Sequence, residues 1–148
     1  MPETAAGPWL GIDYGTRRIG IAVLGESGLA AQGVATLHNG PAGPDWPALS
    51  RIMREWRPRT VVMGLPLRAD GSEGAVAKAA RHFASGLQDR FGVPVLWMDE
   101  YLSSYAAESF LQECALDSRT RKRLRDQAAA CEILHSFRQE HLCRANGM

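Results

Sequence analysis

Apolar residues recur at two different periods along this chain, and the changes of period divide it into elements. Residues 9–14, WLGIDY, alternate so that Trp9, Gly11 and Asp13 share one face of a strand and Leu10, Ile12 and Tyr14 the other. Gly15-Thr16-Arg17 makes a turn, residues 18–24 form a second strand and residues 30–37 a third. The short connections predict an antiparallel meander. The stretch HNGPAGPD reads as a Gly- and Pro-rich loop. The period then becomes helical: Trp46, Leu49, Ile52, Met53 and Trp56 form one stripe that stops before Pro58.

The valine-rich run TVVMGLP, residues 60–66, is a buried strand. The loop LRADGSEG follows, then a helix carrying Val76, Ala79, Ala80, Phe83, Leu87 and Phe91, punctuated by Gly92 and Pro94. VPVLWM is a fifth strand that ends at Asp99-Glu100. A helix is expected over about 104–114, a polar and basic loop over 115–125, and a last helix from near Asp126. That helix buries Ala129, Ala130, Ile133, Leu134 and Phe137. The order βββαβαβαα implies an α/β fold, a mixed five-stranded sheet with helices on both faces. The right-handed crossover rule puts strands four and five parallel to strand one. Ligand sites in such sheets gather at the carboxyl ends of those strands.

Composition narrows the picture only a little. The 148 residues suffice for one domain with a real core, and 45% of them are hydrophobic. The expectation is a single domain over 1–148, with flexible tails at 1–8 and 143–148. Lys and Arg number 17 against 16 acids, so a nucleic-acid site must come from clustering rather than global charge. MPETAAGP has no apolar signal region, no run reaches membrane-spanning length, and three cysteines stand without metal-ligand spacing. A cytoplasmic protein with no membrane partner is expected.

The candidate chemistry lies at the predicted strand ends. Strand one carries Asp13, strand five runs into Asp99-Glu100, and Asp126 opens the last helix on its core-facing stripe. Converging carboxylates raise one another's pKa unless a cation neutralises them. Oxygen-only ligands suit Mg²⁺ or Mn²⁺, and two such ions can clamp both oxygens of a phosphodiester displacement. Gly11, Gly15 and Gly20 would let a phosphate backbone reach the strand surface. Plainer readings stand beside each of these. Asp13 can be a buried acid paired with Arg17 or Arg18, Asp126 an N-cap, Asp99 and Glu100 solvated loop acids, and ADGSEG a turn followed by a Ser72 cap. The run SRTRKRLRD holds Arg119, Arg121, Lys122, Arg123 and Arg125 just before Asp126. It is either a solvated loop or a phosphate-binding arm, which Arg17, Arg18 and Arg68 would extend.

Four blocks in order, GIDYGTRRIGIAV, VVMGLPLRADGSEG, MDEYLSSYAAESFL and RDQAAACEIL, resemble the signature blocks of the YqgF family, also called RuvX. These are the pre-16S rRNA nucleases, relatives of RuvC-type Holliday-junction resolvases. The resemblance runs from about residue 9 to 137. It implies an RNase H-like fold and a metal-dependent nuclease acting in 5′-end maturation of the 16S rRNA precursor. The family's acids fall on Asp13, Glu100 and Asp126, as catalytic residues and ligands of a two-metal Mg²⁺ or Mn²⁺ site. Its active-site loop falls on Gly64, Pro66, Asp70 and Gly71, with Gly15 and Thr16 after the first acid.

Two positions depart from the pattern. Tyr101 stands where the family has arginine and cannot bind phosphate bidentately, although its ring can stack on a base. Gln127 stands where a small hydroxyl residue is usual. The expected partner is structured RNA or branched DNA, the protein being a monomer or weak homodimer. Two other classes compete: a non-catalytic nucleic-acid-binding factor, and an actin-like ATPase, which needs two such domains where this chain supplies one.

Overall fold

The computed structural model describes residues 8–25, 30–67, 70–99 and 118–146, with Asp99, residues 118–122 and residues 141–146 described by their backbone alone. The strands are β1 (Trp9–Tyr14), β2 (Arg18–Leu24), β3 (Gln32–Gly40), β4 (Gly43–Pro44), β5 (Thr60–Leu65) and β6 (Val95–Asp99). The helices are α1 (Trp46–Trp56), α2 (Ala75–Phe91) and α3 (Ser118–Asn146). The helix expected over 104–114 lies outside the described residues.

All six strands form one sheet in the order β4-β3-β2-β1-β5-β6. The β1–β2–β3 meander is antiparallel, and β5 and β6 run parallel to β1, as the sequence pattern implies. Six strands replace the expected five because β3 continues to Gly40 and turns back tightly, pairing Asn39 with Pro44 and Gly40 with Gly43. The Gly and Pro residues that mark a loop in the sequence make that reversal; Gly43 has φ 99°, a conformation that costs glycine little.

Strand alternation divides the interior into two cores. Leu10, Ile12, Ile19, Ile21, Val61 and Met63 face α1 and α2. Trp9, Ala22, Leu24 and Val62 face α3, which supplies Ala130, Ile133, Leu134 and Phe137. Trp9 meets Phe137 edge to face at 5.3 Å, a geometry that aromatic quadrupoles favour. Cys131 is a free thiol beside this second core, pushed up to about 11 by burial and then by Glu132.

Helix α1 is capped by the Asp45 side chain, which accepts from the Ala48 amide at 3.2 Å, and it ends at Arg57. Helix α2 ends at Gly92. On α2, Val76 was expected on the buried stripe but is 40% exposed, and Ala77 is buried in its place. Helix α3 differs most from expectation. It begins at Ser118, so the basic run forms its first two turns instead of a loop. Arg, Lys and Leu are strong helix formers, and this intrinsic preference overrides the absence of an apolar stripe. Asp126 is consequently interior to the helix and is not its N-cap.

Candidate active site

The hairpin β1–β2 and helix α3 build the site between them. Asp13 pairs with Gly20 across the hairpin. Directly opposed residues of an antiparallel pair point to the same side. Asp13, Arg18 and Gly20 therefore share the sheet face on which α3 lies. A Cβ on Gly20 would overlap the carbonyl of Asp126. The missing side chain thus lets the helix backbone rest on the strand beside Asp13.

Asp126 is buried, 9% exposed, and its Oδ2 accepts from Arg18 Nε at 2.7 Å. Arg18, one of the two arginines expected as a partner for Asp13, is bonded to Asp126. A guanidinium bond gives a buried carboxylate the partner that burial otherwise denies it.

Two further glycines complete the seat of α3. A Cβ on Gly11 would lie 2.6 Å from Leu134 Cγ and 2.8 Å from the Ala130 carbonyl. One on Gly33 would lie 2.5 Å from Gln127 Oε1. The expectation that Gly11 and Gly20 open the strand to a phosphate backbone is therefore corrected, because helix α3 occupies that space. Gly15 belongs to the turn, where a Cβ would lie 2.5 Å from the Arg18 carbonyl.

Several residues passed over in the sequence hold this corner. Asn39, 5% exposed, donates from Nδ2 to the Gly15 carbonyl at 2.7 Å, and its amide bonds the Arg17 carbonyl at 2.9 Å. It fixes the turn that follows Asp13. Thr36 donates to the Arg123 carbonyl at 2.8 Å and accepts from Gln127 Nε2 at 3.2 Å. His135 Nε2 accepts from the Ala31 amide at 3.0 Å. Gln127, the departure from the family pattern, thus docks α3 on β3. Only Asn39 had a local signal, an amide in a Gly- and Pro-rich stretch; the others become visible once the helix is laid on the sheet.

The loop after β5 is folded on itself. Gly64 lies within β5, and Pro66 follows it. Leu67 bridges to Glu73, and Asp70 Oδ1 accepts from the Ser72 hydroxyl at 2.6 Å and the Ser72 amide at 2.9 Å. The Ser72 hydroxyl, then its amide, hold the Asp70 carboxyl below the usual range. Ser72 is accordingly not a helix cap; α2 begins after Gly74. Gly71 has φ 86° at the turn. Glu73 takes a two-pronged ion pair from Arg81 at 2.7 and 2.8 Å, and the Arg81 guanidinium lies 5.0 Å from the Trp97 ring centroid. This links the loop to β6, whose last residue Asp99 pairs with Leu65 at the end of β5.

Of the other candidates, Thr16, Arg17 and Arg123 are exposed and Arg125 is half-buried. Arg121 and Lys122 lie on the first turns of α3. Arg68, Glu100 and Tyr101 lie outside the described residues. Among the described residues no three His, Cys, Asp or Glu side chains form a metal-binding group. Two of the three candidate acids, Asp13 and Asp126, share one face at the end of the β1–β2 hairpin. The third follows Asp99, at the end of β6. Carboxylate oxygens are the donors a hard divalent ion takes, and an ion at Asp126 would share that carboxylate with Arg18.

Residues 7–140 match the RuvX family, described as Holliday junction resolvase. A Neisseria gonorrhoeae protein named "Putative pre-16S rRNA nuclease" is 40% identical over 138 residues, 93% of this chain and 91% of that protein. One of the same name from Xanthomonas oryzae pv. oryzae is 44% identical over 128 residues, 83% of this chain and 82% of that one. Among solved structures, Thermus thermophilus RuvC with a Holliday junction substrate aligns with TM-score 0.53 at 20% identity, covering 90% of this chain and 95% of that chain. The Fowlpox virus resolvase with junction DNA aligns with TM-score 0.55 at 12% identity, covering 91% and 99%. These two likenesses concern the fold, which is RNase H-like.

Proposed function

Because this chain belongs to the RuvX family, we propose that it is a metal-dependent nuclease, hydrolysing phosphodiester bonds in 5′-end maturation of the 16S rRNA precursor in the cytoplasm. The observation that carries this reading is the pairing of strand and helix at one corner. Gly20 seats the backbone of Asp126 beside Asp13, on the face and at the strand end where the fold collects its ligands. The names of the closely matching relatives supply the substrate. No described helix is long and apolar enough to cross a membrane.

In this reading Asp13, Glu100 and Asp126 hold Mg²⁺ or Mn²⁺. When bound, the ion supplies an activated water and positive charge beside the phosphate. The residues of the chain do the rest. Asp126 is held by Arg18 at 2.7 Å, which aims its carboxylate. Arg18, 32% exposed at its side chain, retains donors that can turn to a phosphate oxygen. Arg17, Arg68, Arg121, Lys122, Arg123 and Arg125 supply backbone contacts along the first turns of α3 and the neighbouring loops, which position the strand without reading its sequence. Tyr101 supplies a stacking ring. The loop of Gly64, Pro66, Asp70 and Gly71 borders the substrate path, with Gly15 and Thr16 opposite. The whole chain acts as one domain.

A second reading, cleavage of branched DNA, draws on the family's description as a Holliday junction resolvase. A resolvase cuts two strands symmetrically and needs a dimer, whereas an RNA-processing enzyme can act as a monomer or weak homodimer. One experiment separates the readings. A 5′-extended 16S leader and a four-way DNA junction are incubated with Mg²⁺, Mn²⁺ or EDTA, beside Asp13→Asn and Asp126→Asn. Cutting of the leader alone, lost in EDTA and in both variants, is the expected result. Cutting that survives EDTA would overturn the metal site, and cutting of the junction alone would move the assignment to DNA.

A further inference from the structure

Four arginines gather at the end of the molecule opposite Asp13. Arg51 and Arg54 lie on the outer side of α1, Arg57 is its C-cap, and Arg59 leads into β5; all four are exposed. None makes an ion pair among the described residues. In a chain whose formal net charge is only +1, four arginines against one acid, Glu55, in nine residues leave a local excess of three positive charges.

The backbone adds an independent observation. Arg57 has φ 47° and ψ 57°, the only positive φ on a non-glycine residue among those described. Helix α2 ends in the same left-handed geometry with Gly92, at φ 66° and ψ 28°. Glycine takes this position without the steric penalty of a Cβ, so an arginine there retains strain that the chain avoids at its other cap. Strain held at a site is a pointer to a task for that side chain.

The task has a place. Arg54 and Arg57 rim a cleft of about 450 Å³ whose floor is Met53, Pro58, Phe91 and Val93. Cations on the rim and an apolar, partly aromatic floor match a phosphate joined to a flat apolar body. Guanidinium binds the first, and ring stacking or apolar contact takes the second. We propose that this cleft is a second nucleic-acid contact, which takes one backbone phosphate and the unstacked base beside it. It rests on the reading of the chain as a nuclease. The cleft lies at the start of β5 and β6, whereas Asp13 lies at the end of the parallel β1. The two are separated by the length of a strand, about 20 Å or less along its axis, and stand on opposite faces of the sheet. A structured RNA can reach both; a short oligonucleotide cannot. The cleft therefore selects substrates by extent and leaves the cutting chemistry alone.

The test compares wild type, Arg54→Ala, and Arg54→Ala combined with Arg57→Gly. The probe is a labelled leader hairpin with a single-stranded extension, bound in EDTA across a salt series. The one lost phosphate contact flattens the slope of log K against log salt by about 0.7 units. Arg57→Gly relieves the backbone, so the melting temperature holds or rises while binding weakens. Cutting of a short oligonucleotide stays at the wild-type rate. An unchanged slope overturns the proposal, as does a fall in melting temperature large enough to account for the lost binding. Displacement of a glutamate-rich peptide from the cleft, with RNA binding untouched, overturns it in favour of a protein partner. If wild type binds neither RNA nor junction DNA, the nuclease reading and this proposal fall together; binding with an unchanged slope overturns this proposal alone and leaves the nuclease reading standing.

Discussion

At the scale of single residues, the site depends on atoms that are absent as much as on those present. Gly20 and Gly25 are five positions apart and meet opposite surroundings. A Cβ at Gly20 runs into the backbone of α3 at Asp126, while one at Gly25 meets nothing within 4 Å. Backbone cannot swing aside as a side-chain tip can. Gly20→Ala is therefore expected to cost about 3 kcal/mol through overpacking. For a chain of this size that lowers the melting temperature by about 10 °C. Gly25→Ala should change it by less than about 2 °C, within the ordinary range of surface substitutions. Thermal unfolding of the two variants followed by circular dichroism checks both; equal shifts would sink the account of the α3 seat. Asp13 drew notice in the sequence because an acid in an apolar run is anomalous, and Asp126 because it lies on the core-facing stripe of the last helix. The work of Gly20 did not, since a glycine in a strand signals close approach without saying of what.

At the scale of elements, helix α3 corrects the sequence reading most sharply. The run from Arg119 to Arg125 offers no apolar period, so periodicity places a loop there, but helix propensity and tertiary bonds decide otherwise. Thr36 on β3 is one such bond, gripping the Arg123 carbonyl and Gln127 together. Thr36→Val keeps the shape and deletes both bonds. About 1 kcal/mol should be lost, and amide hydrogen exchange should quicken over the first turns of α3 while the Ile133–Phe137 region stays protected. Uniform quickening along the helix would show that Thr36 has no local hold. The parallel direction of β5 and β6 relative to β1 was legible because short apolar runs separated by a helix admit few arrangements. The strand β4 was not, because two residues carry no period.

At the scale of the whole molecule, the sheet separates two interiors, and the candidate acids stand on the side of only one of them. The core beneath α1 and α2 is the larger and contains no acid; the core beneath α3 borders Asp13, Arg18 and Asp126. A cation bound by these acids is bound to the folded state alone and stabilises it by mass action, about 2.7 kcal/mol at a hundredfold excess over Kd. The melting temperature of wild type should rise with added Mg²⁺ or Mn²⁺. Asp13→Asn and Asp126→Asn should each lose most of that rise. A rise that survives both substitutions would place the ion elsewhere. Gly11, Gly20 and Gly33 stand on three neighbouring strands and touch α3 at Ala130 and Leu134, at Asp126 and at Gln127. Together they form a notch that locks the helix along its own axis, since a slip of one turn would carry Asp126 about 5.4 Å from its place. Such a gauge can err in only one direction. No residue is smaller than glycine, so every substitution in the notch lifts the helix outward and none lets it sink. The alignment of the acids is thereby set at the inner limit of a one-sided scale, where drift by small improving steps is closed to the sequence.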